Sequence, residues 1–120
     1  MPQKSGMDLI NDAKTRIREV TPQQVKDMRA RGESAIYLDV REPNEWNLGH
    51  LPGAMHVPRG TLETKLEAAI PRDRKIVIYC AGGNRSALAA DTLQQMGYGD
   101  VVSMSGGFTG WAQSGGDVEG

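Results

Sequence analysis

Several residue types are scarce in this chain of 120 residues, and each scarcity excludes a class of protein. There is one cysteine, Cys80, which excludes an internal disulfide and a cysteine-rich zinc site. Aromatic residues make up 5%, and no apolar run approaches the roughly 20 residues that a membrane-spanning helix needs. Fourteen Lys and Arg stand against 15 Asp and Glu, and this net charge of −1 gives no reason to expect binding to nucleic acid or to an anionic membrane.

The amino-terminal segment lacks the apolar stretch of a secretory signal, since it reads MPQKSGMDLI. Together with the lone thiol, this predicts a cytoplasmic protein with a reduced cysteine. A composition of 38% hydrophobic and 24% charged residues is typical of one soluble globular domain at this length. We expect a monomer, because no coiled-coil pattern or dimer motif is present.

Apolar segments alternate with helical patterns along the chain. Residues 35–40, 75–79 and 101–104 are predicted strands, whereas residues 41–53 carry Pro, Asn and Gly and are predicted to form a long loop. Strands that are apolar throughout favour a parallel sheet covered on both faces. The sequence therefore predicts one α/β domain over residues 20–113, preceded by an extension with a short helix (1–19) and followed by a flexible tail (114–120).

Cys80 follows the clearest strand and opens the segment CAGGNRS, which leads into a helix. In parallel sheets, ligands lie beyond the carboxyl ends of the strands. Gly82 and Gly83 let backbone N–H groups turn inward, and the positive end of the next helix points to the same place. Both effects stabilise a thiolate, the nucleophilic form of cysteine. A buried cysteine with only a packing role is the alternative.

The candidate anion-binding loop consists of Ala81, Gly82, Gly83, Asn84, Arg85 and Ser86. Arg85 is predicted to bind an oxyanion through two hydrogen bonds, because a cation at a helix start is otherwise unfavourable. A solvated surface side chain is the other interpretation. Ser86 either caps the helix or donates a hydrogen bond to the sulfur, and both interpretations stay open.

Three separated motifs resemble those of single-domain rhodaneses, which are sulfurtransferases. They are LDVREPNEWNLGHLPGAMHVP, CAGGNRS after the strand IVIY, and VVSMSGGFTGW, in the order found in that family. The resemblance implies a three-layer fold with a five-stranded parallel sheet and helices on both faces. It implies that Cys80 takes a sulfane sulfur from a donor such as thiosulfate and passes it to cyanide, a thiol or a protein acceptor, without a metal or other cofactor.

Two features of the loop qualify this resemblance. The spacing Cys80-x4-Arg85 is one residue shorter than the Cys-x5-Arg of tyrosine phosphatases and arsenate reductases, whose loop wraps a tetrahedral phosphate. Ala81 stands where many thiosulfate-using rhodaneses carry a basic residue, which puts thiosulfate in question as the physiological donor. A persulfide-carrying module for a dedicated protein partner is therefore a second hypothesis.

Three further residues are predicted to support the site. Asp39 ends a strand at the same sheet edge and either orients the loop or accepts backbone N–H bonds. Arg41 is expected to add positive potential or to pair with Glu42 or Glu45. His50 suggests a Cys–His pair, but the resemblance implies that it braces the loop instead. No motif supplies the carboxylates that a metal site with two histidines would need.

Overall fold

The sheet of the computed structural model, which describes residues 3–120, has five parallel strands. Their order across the sheet is β1-β5-β4-β2-β3. The predicted five-stranded parallel sheet is therefore confirmed. The strands are β1 (Arg18–Val20), β2 (Ile36–Asp39), β3 (Met55–His56), β4 (Ile76–Tyr79) and β5 (Val101–Met104).

Helices connect the strands and cover both faces of the sheet, as predicted. They are α1 (Gly6–Lys14), α2 (Pro22–Ala30), α3 (Pro43–Asn47), α4 (Leu62–Ala69), α5 (Asn84–Gln95) and α6 (Gly107–Gln113). Helix α1 contacts α5, and a 3-10 turn at Arg59–Thr61 leads into α4.

The start of α2 illustrates how local sequence positions an element. Thr21 Oγ1 accepts a hydrogen bond from the N–H of Gln24 at 3.1 Å, and Gln24 Oε1 accepts one from the N–H of Thr21 at 2.8 Å. This reciprocal cap satisfies two donors that a helix start leaves open, and Pro22 occupies the first turn, where no N–H is needed. The sequence Thr21-Pro22-Gln23-Gln24 thus begins α2.

The sheet separates two apolar cores, because successive side chains of a strand point to opposite faces. On β4, Ile76 and Ile78 pack with α4 and α5, and Cys80 beyond the strand end continues this row. Val77 and Tyr79 pack on the opposite face with α2 and α6. We call the first side the α5 face. The loop that begins at Cys80 therefore starts on the α5 face.

The segment 41–53 is not entirely a loop, and that prediction was wrong for residues 43–47. Pro43 starts α3, and Glu45 Oε1 accepts a hydrogen bond from the N–H of Glu42 at 3.0 Å. A helix of this length is too short to produce a hydrophobic period, and Pro and Asn dominate its composition. The capping contact between Glu42 and Glu45 marks the start of this helix, and the amino-acid composition does not indicate it.

The two segments that flank the predicted domain both contact it. In the predicted extension, β1 pairs with β5, and Arg16 binds Asp91 of α5 at 2.9 Å. In the predicted tail, Glu119 pairs with His50 through two backbone hydrogen bonds of 2.8 and 2.9 Å. The tail therefore contacts the segment that follows α3 at Glu119, whereas Asp117 O accepts a hydrogen bond from Trp111 of α6.

Within residues 3–120, no helix combines the length and the apolar character that crossing a membrane requires.

The amino-terminal end of α6 packs directly on the loop that begins at Cys80. The N–H groups of Phe108 and Thr109 donate to the carbonyl oxygens of Cys80 and Ala81 at 2.8 and 3.0 Å. Gly107 has φ +55°, and a Cβ there would lie 2.6 Å from Ala81 O and closer still to Cys80 O. This contact leaves no room for a side chain.

Gly107→Ala is expected to destabilise the protein, because backbone has to move to admit the methyl group. The cost is about 2 kcal/mol, or roughly 8 °C in the melting temperature at this size. Thermal unfolding followed by circular dichroism measures it. Gly60→Ala is the matched control, since a Cβ at Gly60 meets nothing within 4 Å. Equal melting temperatures for the two variants would show that the backbone of α6 does not pack tightly against the loop that begins at Cys80.

Candidate functional site

Cys80 lies at the carboxyl end of β4, and its side chain is fully buried. Its Sγ accepts hydrogen bonds from the N–H of Gly83 at 3.1 Å and from the N–H of Ser86 at 3.3 Å. The segment 81–86 thus curls around the sulfur as it enters α5. The structure brings together the cysteine and the loop that the sequence indicated.

The other N–H groups of the loop are not engaged. Within residues 3–120, the N–H groups of Ala81, Gly82, Asn84 and Arg85 have no protein acceptor. They belong to the turn that begins α5, where helix geometry leaves donors open and the helix dipole is positive. Gly82 and Asn84 are exposed to solvent. The loop therefore combines two amides bound to sulfur with four that are free to bind an anion.

Gly83 makes this curl possible. Its φ of +103° lies in the region that favours glycine, and a Cβ there would approach the N atom of Gly106 to 3.3 Å. Gly83 is also the residue that precedes the first turn of α5, and no side chain caps that helix. The capping role considered for Ser86 is therefore wrong.

Ser86 instead contacts the sulfur twice. Its N–H donates to Sγ, and its Oγ lies 3.5 Å from Sγ and 2.8 Å from the Oγ of Ser103. Both serines are fully buried. The sequence does not predict a role for Ser103, because an apolar run indicates a strand but not which of its residues faces the site. The signal was a single polar residue in the strand VVSM.

Arg85 contacts a residue that the sequence did not pair with it. Its Nη1 and Nη2 donate to Oε1 and Oε2 of Glu45 at 2.8 and 3.1 Å, a two-point ion pair between α5 and α3. The guanidinium predicted to bind an oxyanion is thus already bound to a carboxylate. Glu45 was expected only as a partner of Arg41, because α3 was not predicted.

The ion pair shifts the titration of both groups. The Arg85 hydrogen bonds, followed by the N–H of Glu42, lower the pKa of Glu45 to about 2. Glu45 in turn raises the pKa of Arg85, and Cys80 contributes to that rise. Arg85 is therefore a fixed positive charge beside the sulfur, with a carboxylate on its outer side.

Asp39 and Arg41 form a buried ion pair at the end of β2. Arg41 Nη2 donates to Asp39 Oδ2 at 2.8 Å and to the carbonyl oxygen of Gly49 at 2.6 Å. Asp39 Oδ1 also accepts the N–H of Arg41 at 2.9 Å. Arg41 therefore pairs with neither Glu42 nor Glu45, contrary to expectation. Burial alone would lower the pKa of Arg41, but Asp39 raises it above the ordinary value.

His50 packs on α3 and the tail. Its ring stacks on Trp46 with centroids 3.5 Å apart, Nδ1 lies 3.3 Å from Trp46 O, and Nε2 lies 3.4 Å from Glu119 Oε1. On the other side, the ring of His56 stacks on Trp46 at 4.8 Å. Both ring nitrogens of His50 thus face partners other than Cys80. The geometry is that of a brace for the segment around α3.

No metal centre can be assigned to the site, since residues 3–120 contain no cluster of three or more His, Cys, Asp or Glu side chains with suitable geometry.

Glu45→Gln is expected to destabilise the protein at neutral pH by about 1 kcal/mol, because the half-exposed ion pair loses its charge while the glutamine amide oxygen still accepts from Glu42. The stabilisation from Glu45 is complete above its unfolded pKa of 4.5 and is lost as the pH falls towards 2. The difference between the wild type and the variant should therefore shrink over this range. Urea unfolding at a series of pH values measures it.

The control is Glu19→Gln on β1, an exposed residue with no ion pair among the described residues. It should change stability little at any pH. A Glu45→Gln deficit that persists unchanged at low pH would mean that the contact is not electrostatic.

Comparison with known proteins gives the family of this chain. The model of the rhodanese-like domain family matches residues 21–114. The probable adenylyltransferase/sulfurtransferase MoeZ of Mycobacterium tuberculosis is 35% identical over 95 residues, which are 78% of this chain and 24% of MoeZ. The chain therefore spans about a quarter of that relative. The thiosulfate sulfurtransferase GlpE of Ectopseudomonas mendocina is 33% identical over 94 residues, 78% of this chain and 84% of GlpE.

A solved structure has the same architecture, including the elements outside the family match. It is a Rhodopseudomonas palustris protein described as of unknown function and a possible tyrosine phosphatase. Its TM-score is 0.89 at 35% identity, and the match covers 99% of both chains. The fold, the cysteine loop and the matched sequence agree, and the chain belongs to the rhodanese-like domain family, with sulfurtransferases among its relatives.

Proposed function

We propose that this protein is a sulfurtransferase that carries a sulfane sulfur as a persulfide on Cys80. The observation that supports this most strongly is the position of Sγ inside a loop of backbone N–H groups, two bound to it and four free. A persulfide is an anion one sulfur atom longer than a thiolate. The free amides of residues 81–85 offer that outer atom hydrogen bonds already in place.

The first half-reaction loads the cysteine. The Cys80 thiolate attacks the outer sulfur of thiosulfate, a new S–S bond forms, and the S–S bond of thiosulfate breaks. Sulfite leaves with the bonding electron pair, so that charge balances between thiolate plus thiosulfate and persulfide plus sulfite. Ala81, Gly82, Gly83, Asn84, Arg85 and Ser86 hold the developing negative charge through their backbone N–H groups.

The second half-reaction transfers the outer sulfur from the Cys80 persulfide to an acceptor. Cyanide or a thiolate attacks the outer sulfur, and the Cys80 thiolate leaves, ready for another cycle. Because Cys80 is the only cysteine of the chain, no second thiol of the same chain competes for that sulfur. The acceptor comes from outside, as a small molecule or a protein.

Arg85 serves the reaction as a fixed charge. The ion pair with Glu45 holds the Arg85 guanidinium beside the loop. The Glu45 carboxylate also offsets part of the positive charge that an incoming anion meets. Asp39, Arg41 and His50 act further out: they fasten the segment that carries α3, and α3 carries Glu45. We assign them to positioning and not to bond making.

Access to the sulfur requires movement, because Cys80 is fully buried. Gly82 and Asn84 are the exposed part of the loop. We place the entry of the donor there, where displacement of a short segment uncovers the sulfur without separating β4 from its neighbours.

Loading can be tested on the reduced protein by incubation with excess thiosulfate, desalting and intact-mass measurement. The wild type should gain about 32 Da, one sulfur atom, and Cys80→Ser should gain nothing. Circular dichroism of the variant checks that its fold persists. A gain on Cys80→Ser, or thiocyanate production by it at the wild-type rate, would contradict the assignment of Cys80.

Ala81 bears on the donor, since its methyl group offers nothing to the sulfite half of thiosulfate. Ala81→Lys places a cation there and should raise kcat/KM for thiosulfate about fivefold, as a half-exposed charge pair permits. Ala81→Met, of similar length without charge, is the control. A steady-state thiosulfate:cyanide assay measures both. Equal values for the two variants would mean that donor preference is set elsewhere.

Two features favour a second candidate, a persulfide carrier that serves a dedicated protein partner. One is Ala81, and the other is MoeZ, in which the matched region is 24% of a larger protein. A carrier would gain the sulfur mass from a suitable donor yet turn over poorly with thiosulfate and cyanide.

Phosphatase chemistry is the weaker alternative, favoured only by the description of the Rhodopseudomonas palustris structure. The spacing of Cys80 and Arg85 and the ion pair that occupies Arg85 both argue against a site for phosphate. Absence of aryl phosphate hydrolysis excludes it.

A further inference from the structure

The hydroxyl group of Ser103 lies on the α5 face of the sheet, among apolar side chains. In β5, Ser103 is fully buried, whereas Val101, Val102 and Met104 are all apolar. Ser103 pairs in register with Ile78 of β4, and Ile78 shares the α5 face with Cys80. The Ser103 Oγ lies 2.8 Å from Ser86 Oγ, which is its hydrogen-bonding partner in the described structure.

A buried hydroxyl lowers stability unless it is hydrogen-bonded, and Ser103 makes its bond to the residue that contacts the sulfur. The three atoms form a chain: Ser103 Oγ to Ser86 Oγ at 2.8 Å, and Ser86 Oγ to Cys80 Sγ at 3.5 Å. Each serine has one proton to donate. The direction of the chain is therefore set by the charge of the sulfur.

With a neutral thiol, the S–H donates to Ser86 Oγ, and the Ser86 hydroxyl donates to Ser103. With an anionic sulfur, both bonds reverse: Ser103 donates to Ser86, and Ser86 donates to the sulfur. A hydroxyl that receives a hydrogen bond is a stronger donor, so Ser103 strengthens the second arrangement. Without Ser103, the Ser86 hydroxyl is free to turn to a backbone carbonyl three or four residues earlier, as helical serines commonly do.

We infer that Ser103 is a positioning residue that holds the Ser86 hydroxyl on Cys80 and, by reversing its own hydrogen bond, stabilises the sulfur when it is anionic. The inference rests on the proposed function, since a persulfide and a thiolate are the anions concerned. It goes beyond the cysteine loop, because Ser103 belongs to a different strand and its side chain is bonded to the Ser86 hydroxyl.

Other charges near the sulfur stay constant when Ser103 is changed. Arg85 on α5 is the cation beside Cys80, and Glu45 of α3 is bound to it. On β5 the group directed at the site is the Ser103 hydroxyl. Asp39 and Arg41, beyond the end of β2, bind one another.

Ser103→Val and Ser103→Thr form a matched pair, because the two side chains have the same shape and differ by one hydroxyl. The rate of Cys80 alkylation by iodoacetamide is measured against pH for both variants and the wild type. The Val variant should have its profile displaced to higher pH and react about fivefold more slowly at neutral pH, as loss of one indirect hydrogen bond predicts. The Thr variant should keep the wild-type profile.

The melting temperatures of the Ser103 variants distinguish a positioning role of this residue from a merely structural one. The Ser103→Val variant should have a melting temperature close to that of Ser103→Thr, because the Ser86 hydroxyl that loses its partner stays hydrogen-bonded to a backbone carbonyl. Coincident profiles for the Val and Thr variants would overturn the inference. If the Val variant does not fold, Ser103→Ala provides the same comparison with a smaller side chain.

The sulfur-loading experiment keeps this test distinct from the proposed function. A displaced alkylation profile in a protein that takes up no sulfur from any donor supports the role of Ser103 and contradicts sulfur transfer. Coincident profiles in a protein that loads normally contradict the role of Ser103 and leave sulfur transfer standing.

Discussion

Hydrogen bonds from backbone N–H groups to Cys80 Sγ require a loop whose shape is imposed from outside, because a segment rich in glycine has little shape of its own. Two donors reach the sulfur, from Gly83 at 3.1 Å and from Ser86 at 3.3 Å. Both distances depend on the backbone angles of the loop. Contacts from α6 and α3 hold that backbone.

One clamp comes from α6. The N–H of Phe108 binds Cys80 O at 2.8 Å, and Gly107 permits an approach that any side chain would block. A second comes from α3, where Glu45 binds Arg85 at two points. The stacking of Trp46 on His50 holds α3 in turn. The loop is thus held at its first residue and at its helix, while Gly82 and Asn84 between them are exposed to solvent.

Local and distant features differ in how far the sequence reveals them. Cys80 and its loop could be predicted, because a strand, glycines and a helix start follow one another directly. Glu45 and Ser103 could not, because their partners lie 40 and 17 residues away, and only the register of the sheet and the path of α3 bring them together. Arg41 was misassigned for a different reason: its partner Asp39 is only two residues away, but burial favours that pair over the surface carboxylates.

The proposed persulfide adds one sulfur atom to the anion that the loop binds. A crystal structure of the persulfidated protein shows where that atom lies. We expect the outer sulfur within hydrogen-bonding distance of N–H groups from residues 81–85, with Arg85 still bound to Glu45. An outer sulfur directed away from these amides, or a loop that unwinds to accommodate it, would mean that the loop is not shaped for a persulfide.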